Sequence, residues 1–353
     1  MNAPFHASAC ACLLLAAACP AAAQEAPEPS SIDACVAIES DAQRLACYDA
    51  AMHRAAPSVA EEGPANPVFP DEPGLGVADA GSHRSLLDSR WELSPESKLG
   101  TFNMRAYQPI YIMPVFATSN VNELPSSPNP NNTVTIPEQL DSIEMKFQLS
   151  FKTKVWQGVF GEYGDIWATY TQSSRWQLYN SEVSRPFRET NYEPEGMLVF
   201  NTNYKLLGWD GRLLGIGINH QSNGRSDPYS RSWNRIIGAI GFERDGWTLM
   251  LRPWWRVNEA ARNDNNPDIE DYVGRGEVQV VRVTDTHQFS LLLRHSLRGG
   301  DRSRGSLRYT WSFPISRSLR GYAEIFTGYG ESLIDYNHRA TYLGVGLSLL
   351  DWY

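Results

Sequence analysis

The chain has 353 residues and a mass of 39.6 kDa, with 31 Lys and Arg against 40 Asp and Glu for a net charge of -9, so it has no general attraction for a nucleic acid backbone and no nucleic acid partner is expected. Its mean hydropathy is -0.39, and beyond the first twenty-odd residues no apolar run approaches the roughly 18 needed for a spanning helix. That excludes a helical membrane protein but leaves a membrane β-barrel open, because barrel strands show only every second residue to lipid.

The run from Ala11 to Ala18, followed by Pro20 and Ala21-Ala22-Ala23 before Gln24, reads as a signal-peptide core with an A-x-A cleavage site. Residues 1–23 are therefore expected to be removed, although they contain no Lys or Arg and only His6, which leaves the start codon and cleavage point open. Cleavage at Cys19, as in a lipoprotein, is the alternative, but Ala16 stands where a large aliphatic residue is usual. Removal of Cys10, Cys12 and Cys19 leaves Cys35 and Cys47, an even pair bound for an oxidising compartment, where a disulfide is the default. Residues 33–53 have helical composition, with Asp33 placed to cap the N-terminus. One straight helix would hold the two Cα atoms about 18 Å apart, whereas a disulfide needs about 4.4 to 6.8 Å. A bridge thus implies that residues 24–56 form a helical hairpin, and an acidic one. Five prolines (Pro57, Pro64, Pro67, Pro70, Pro73) amid Ala, Gly and Glu mark 57–84 as a linker.

Residues 85–353 are nearly neutral and rich in Trp and Tyr. From Ser142 to Phe151 the residues alternate without error, with Ile143, Met145, Phe147, Leu149 and Phe151 on one face and Glu144, Lys146, Gln148 and Ser150 on the other. This is a strand with one apolar and one polar side. Segments of the same kind are expected at 105–118, 164–177, 192–206, 212–222, 233–243, 246–257, 272–284, 287–297, 304–313, 318–329 and 339–353, twelve strands in all. Turn chemistry such as Gly208-Trp209-Asp210-Gly211, Asp245-Gly246 and Gly299-Gly300-Asp301 separates many of them. An even strand count, a signal peptide, and Trp167, Trp176, Tyr179, Trp233, Trp247, Trp254, Trp255 and Trp352 near strand ends, as in an interfacial girdle, favour an all-β, twelve-stranded antiparallel transmembrane barrel over a soluble sandwich. Glu144, Lys146, Glu277 and Arg282 are then expected in a side-chain-filled lumen, with Arg188 and Glu189 as an ion pair.

In 212–222 the even positions carry Leu214, Ile216 and Ile218, so His220 and Ser222 project from that same apolar face, and Asn234 shares the face of Ile236 and Ile240 on the next strand. Polar groups facing hydrocarbon are expensive and mark a functional site. Ser222 needs a base within reach, which a His two residues away provides, and Asn234 can accept the imidazole Nδ1 proton and hold the tautomer that turns Nε2 to the hydroxyl.

The segment Asn219-His220-Gln221-Ser222-Asn223-Gly224-Arg225-Ser226-Asp227-Pro228-Tyr229-Ser230-Arg231-Ser232-Trp233-Asn234-Arg235 resembles the catalytic signature of the outer membrane phospholipase A family, as do Pro186-Phe187-Arg188-Glu189-Thr190-Asn191-Tyr192-Glu193-Pro194 and Gly328-Tyr329-Gly330-Glu331-Ser332-Leu333-Ile334-Asp335-Tyr336. The likeness covers about 100–353. It implies an outer-membrane barrel, calcium-dependent hydrolysis of phospholipid acyl esters (A1, A2 and lysophospholipase), and reversible homodimerisation on activation. By resemblance Ser222 matches the nucleophile, His220 the base, Asn234 its orienter and the Gly224 amide an oxyanion donor. Arg225 through its carbonyl and Ser230 through its hydroxyl match calcium ligands of one subunit, Ser184 matches the ligand from the other, and Asp227 matches a metal contact of the monomer. Asn265 stands where an acid would be expected beside a second calcium. The rival readings are a non-catalytic pore or structural barrel and a soluble periplasmic esterase. No G-x-S-x-G, H-E-x-x-H, Walker A or G-x-G-x-x-G pattern occurs.

Overall fold

The computed structural model describes residues 32–52, 85–316 and 319–353; the expected signal peptide and the linker at 57–84 lie outside them. The chain divides into two units, Met1–Pro70 and Asp71–Tyr353. In the first, a 3-10 turn (Ile32–Ala37) leads through Ser40 into helix α1 (Asp41–Ala51). Cys35 and Cys47 are disulfide-bonded with Cα atoms 5.6 Å apart, so the chain reverses between them as the distance argument requires. Asp33 lies inside the 3-10 turn, not at the N-terminus of a helix covering 33–53, because the reversal starts the α-helix later.

The second unit is a closed antiparallel barrel. Its strands are β1 (Met104–Ala106), β2 (Ile110–Thr118), β3 (Ile143–Trp156), β4 (Asp165–Trp176), β5 (Phe187–Leu206), β6 (Trp209–Ser222), β7 (Ser232–Arg244), β8 (Trp247–Val257), β9 (Gly276–Val283), β10 (Gln288–His295), β11 (Gly305–Pro314), β12 (Arg320–Tyr329) and β13 (Arg339–Leu350). β1 and β2 both run along β3, through Met104↔Thr153 and Ile112↔Phe147, and are successive pieces of one stave. The twelve expected staves are therefore present. β13 returns to pair with β2, and no edge is left open, as a wall in hydrocarbon demands.

The core is inside out. On β3, Glu144, Lys146, Ser150, Lys152 and Lys154 are each at most 3% exposed, while Ile143, Leu149 and Phe151 are 38–48% exposed. A soluble sandwich would bury the second set. The lumen instead holds ion pairs: Lys146 with Glu324 (2.6 Å) and Glu331 (2.9 Å), Arg175 with Glu331 (2.7 Å), Arg252 with Glu195 (2.7 Å), and Arg188 with Glu144 and Asp335 (2.8 Å each). Buried pairs add little net stability, since desolvation offsets attraction, but removing one partner is costly. Arg188 and Glu189 do not pair with each other; Glu189 accepts from Asn191, Asn223 and the Ile334 amide. The pairing of β4 with β5 is irregular at Arg188, so both neighbours turn inward, and each is taken by partners from other segments. Arg282 is also outside the lumen: Glu277, Gln279 and Val281 face inward, and Arg282, one step out of phase, lies over Trp247. Parity likewise buries Trp167, Trp233 and Trp254, leaving Tyr179, Trp247 and Trp255 on the exterior.

One end of the barrel has short connections. Leu207-Gly208 and Asp245-Gly246 have positive φ at both positions, the two-residue turn whose twist matches antiparallel strands. The first turn thus precedes Trp209, which already belongs to β6. The short helix α2 (Leu86–Trp91), capped by Ser85 Oγ accepting from the Asp88 amide, plugs this end. Leu87 and Trp91 pack on Trp167, Met197, Val199 and Leu213, and the Lys152 ammonium sits 3.5 Å from the Trp91 ring centroid. After the plug, Glu92 binds Arg105 and Lys154. The opposite end carries the long connections 119–142, 177–186, 223–231, 258–275, 296–304 and 330–338. The last folds inward with Leu333, Ile334 and Tyr336 buried.

Burial pushes the Glu331 carboxyl up, but Arg175 and Lys146 outweigh it and hold it far below the usual range. Asp335 follows the same pattern, with Arg188 and the Ser332 hydroxyl countering burial. Carboxylates depressed on folding stabilise above their unfolded pKa of about 4, and that stability disappears as the pH falls below it. Equilibrium unfolding in detergent should therefore show stability constant near neutrality and falling below about pH 4. Glu331→Gln should cost about 3–5 kcal/mol at pH 7 and flatten that acid dependence; an unchanged midpoint would contradict the assigned role of the pair.

Candidate active site

Strand β6 presents His220 and Ser222 together because its alternation runs unbroken to its end. Leu214, Ile216 and Ile218 are 48–70% exposed on the outer wall, and His220, on the same parity, is exposed as well. Across the β6–β7 hairpin His220 stands directly opposite Asn234, and Ser222 opposite Ser232. That register places Asn234 Oδ1 2.8 Å from His220 Nδ1. An amide oxygen only accepts, so Nδ1 is the donor of this bond, and the neutral ring in this arrangement keeps its lone pair on Nε2. Ser222 is two residues along the same face. Among the described residues no hydrogen bond joins its hydroxyl to Nε2; positions i and i+2 of a strand lie about 7 Å apart at Cα, within side-chain rotation of contact, and nucleophile–base pairs tighten when substrate binds.

The connection 223–231 is shaped by one buried side chain. Asn223 accepts from the amides of Arg225 (3.3 Å) and Arg231 (3.0 Å) and donates to Tyr229 O (2.8 Å) and Glu189 (3.2 Å). Gly224 has φ +64 and lies against the Tyr192 ring, which a Cβ would meet at 3.1 Å, so both the turn and the space call for glycine. Arg231, fully buried, donates to Ser126 O, Asn132 O, Pro228 O and Ser230 O and ties this loop to 119–142. Nearby, burial pushes the Glu138 carboxyl up against the opposing pull of Arg225 and Arg188.

The oxygens anticipated for a cation fall as follows. Arg225, Asp227 and Ser230 share the 223–231 loop. Ser230 Oγ accepts from Asn265 Nδ2 (2.7 Å), and Asp227 accepts from Asn132 Nδ2 (2.7 Å). Asn265 therefore serves as a donor to a hydroxyl in the place where an acid might have ligated. Ser184 lies exposed in 177–186 with φ +63; among the described residues no hydrogen bond joins it to the 223–231 loop. The described residues contain no group of three or more His, Cys, Asp or Glu able to hold a metal. What one chain offers is hydroxyl and carbonyl oxygen, with a single carboxylate in the loop: hard donors suited to a weakly held calcium and incomplete alone.

One contact was not foreseen from sequence. Asn234 Nδ2 donates to Glu259 Oε1 at 3.2 Å. Val257 pairs with Asn234, and Glu259 lies two residues beyond, on the same parity, past the end of β8. Only the β7–β8 register reveals the neighbourhood.

The profile of the phospholipase A1 family matches residues 87–349. A phospholipase A1 of Escherichia coli K12 is 43% identical over 208 residues, covering 59% of this chain and 70% of that protein. The structure of outer membrane phospholipase A from E. coli superposes with a TM-score of 0.63 at 37% identity, over 71% of this chain and 95% of that one. A Salmonella typhi outer membrane phospholipase dimer with bound calcium matches with the same TM-score and identity, over 71% and 94%. Matched from the plug helix to the last strand, and built on the same closed barrel, the chain belongs to the phospholipase A1 family of outer-membrane β-barrel hydrolases, outer membrane phospholipase A.

Proposed function

We propose that the protein is a calcium-dependent phospholipase A that hydrolyses acyl esters of membrane phospholipids with Ser222, His220 and Asn234 and is active as a reversible homodimer. The observation that carries the reading is the His220–Asn234 hydrogen bond on the lipid-facing wall. Structure alone has no need for a His–Asn pair among exposed Ile and Leu, and its polarity there is a cost.

His220, its Nδ1 proton held by Asn234, takes the Ser222 proton at Nε2 while Oγ attacks the ester carbonyl carbon. The Gly224 amide donates to the oxygen that becomes negative, the kind of contact worth on the order of 10²- to 10³-fold. The imidazolium then protonates the departing alkoxide, releasing lysophospholipid. Water, deprotonated by the same imidazole, cleaves the acyl-serine and restores the enzyme. Calcium, when bound, would add positive charge near that oxygen, with Arg225 O and Ser230 Oγ from one chain, Ser184 from a second copy, and Asp227 as the contact in the monomer. The donor chemistry described above and the calcium-bound dimer of the Salmonella relative support this assignment. A pore is disfavoured by the α2 plug and by the ion pairs that cross the lumen. The exposed apolar wall speaks against a soluble esterase.

In mixed micelles with calcium, Ser222→Ala should abolish hydrolysis, and His220→Ala should lower kcat by roughly 10²- to 10⁴-fold, the range of general base catalysis. Hydrolysis surviving Ser222→Ala would remove the nucleophile from the account. Chelation with EDTA should silence the wild-type protein reversibly, and Ser230→Ala should raise the calcium concentration needed for half-maximal activity without changing the fold measured by circular dichroism. Activity indifferent to chelation would eliminate the cation.

A further inference from the structure

The orientation of Asn234 is not set by His220 alone. A carboxamide presents an oxygen on one side and an NH₂ on the other, and the two ends have nearly the same shape, so packing cannot distinguish them. If the NH₂ faced Nδ1, the ring proton would move to Nε2. Nε2 would then donate toward Ser222, and the site would contain no base. A carboxylate on the far side of the amide removes that ambiguity, because it accepts and cannot donate.

We propose that Glu259 is a positioning residue for the hydrolytic reaction, locking the Asn234 amide so that Oδ1 faces His220 and supplying, one residue further out, the negative charge that a neutral asparagine lacks. The inference rests on the Ser222–His220–Asn234 reading and deepens it. Its geometry is a continuous chain: Glu259 Oε1 to Asn234 Nδ2 at 3.2 Å, then Asn234 Oδ1 to His220 Nδ1 at 2.8 Å. Glu259 is half-buried and follows β8 on the outward parity of Val257, the residue opposite Asn234. Among the described residues no charged group is bonded to the His220 ring, whose contact is Asn234. Of the adjacent strands, β5 presents Tyr192, opposite Ser222, and β7 presents Ser232, Asn234 and Ile236. In the following loop Arg225 is engaged by the Tyr229 ring and the Arg188 carbonyl, with Glu138 beside Tyr229, and Asp227 is engaged by Asn132. An asparagine between carboxylate and imidazole divides the work of a catalytic aspartate in two: the amide fixes the tautomer, and the carboxylate fixes the amide and favours the imidazolium.

The test uses the full chain purified in detergent, assayed in mixed micelles with saturating calcium, for Glu259→Ala, Glu259→Gln, Asn234→Ala and the Asn234→Ala/Glu259→Ala double variant. Glu259→Ala is expected to lower kcat about tenfold with KM changed less than about twofold, a fraction of the general-base contribution. Glu259→Gln, which keeps one acceptor but loses the charge and the one-way bonding, should lie between it and wild type. In both, the acid limb of kcat/KM should move to lower pH, because a negative charge near an imidazole favours its protonated form and its removal does the opposite. In the Asn234→Ala background the Glu259 change should cost less than about twofold, since its effect passes through the amide. Equal losses in the two backgrounds, or an acid limb that stays in place, would overturn the proposal. If the alanine variant is misfolded by circular dichroism, the near-isosteric glutamine variant carries the pH measurement by itself. Full activity in Glu259→Ala with an inactive Ser222→Ala would refute the role of Glu259 while sparing the triad; activity in Ser222→Ala would refute the triad first.

Discussion

A strand wall in hydrocarbon has to pair every backbone N–H and C=O within itself, and closure of β13 onto β2 meets that demand. Once the sheet is closed, each side chain has only two places to go, lipid or lumen, and the choice is set by parity. Everything else in the molecule follows from that division. Lys146, Arg175 and Arg252 are tolerable because Glu324, Glu331 and Glu195 share their side of the wall. Leu214, Ile216 and Ile218 are tolerable because they do not.

The same division explains why the proposed hydrolytic groups are on an outer surface and not in a cleft. A filled lumen cannot admit a phospholipid, whereas the wall already touches acyl chains. Stiffness is supplied from behind: the lumen-facing residues of β6 and β7, Asn219 and Arg235, are bonded to each other and to Glu193 and Glu195. Those contacts fix the hairpin register that sets His220 opposite Asn234. The buried ion pairs and the proposed catalytic groups thus occupy opposite faces of the same residue ladder, and the polar interior contributes positional definition more than net stabilisation.

Much of the barrel was legible in the residues. The alternation of β3, the Asp245-Gly246 turn and the position of His220 and Ser222 among outward aliphatics needed only the period of a strand. The resemblance added the roles expected of Gly224, Ser184, Arg225, Asp227 and Ser230, which no spacing rule supplies. The errors came from ignoring parity or long-range pairing. Trp167, Trp233 and Trp254 look like girdle residues until their phase is followed into the lumen. Arg188 prefers Glu144 of β3 and Asp335 of the 330–338 connection, both distant in sequence, over its neighbour Glu189. The plug helix at 86–91 was too short to show any period.

By itself the amino-acid order determined which side chains share a face, because the two-residue repeat is a local property of extended backbone. It thereby determined the barrel class and the trio at the end of β6. Only the tertiary structure decided what stands opposite what: the hydrogen bond from Asn234 to His220, the arrival of Glu259 behind it, and the loop held by Asn223 and Arg231. Register and bulges between strands arise from the closure of the whole sheet, a condition no single segment contains.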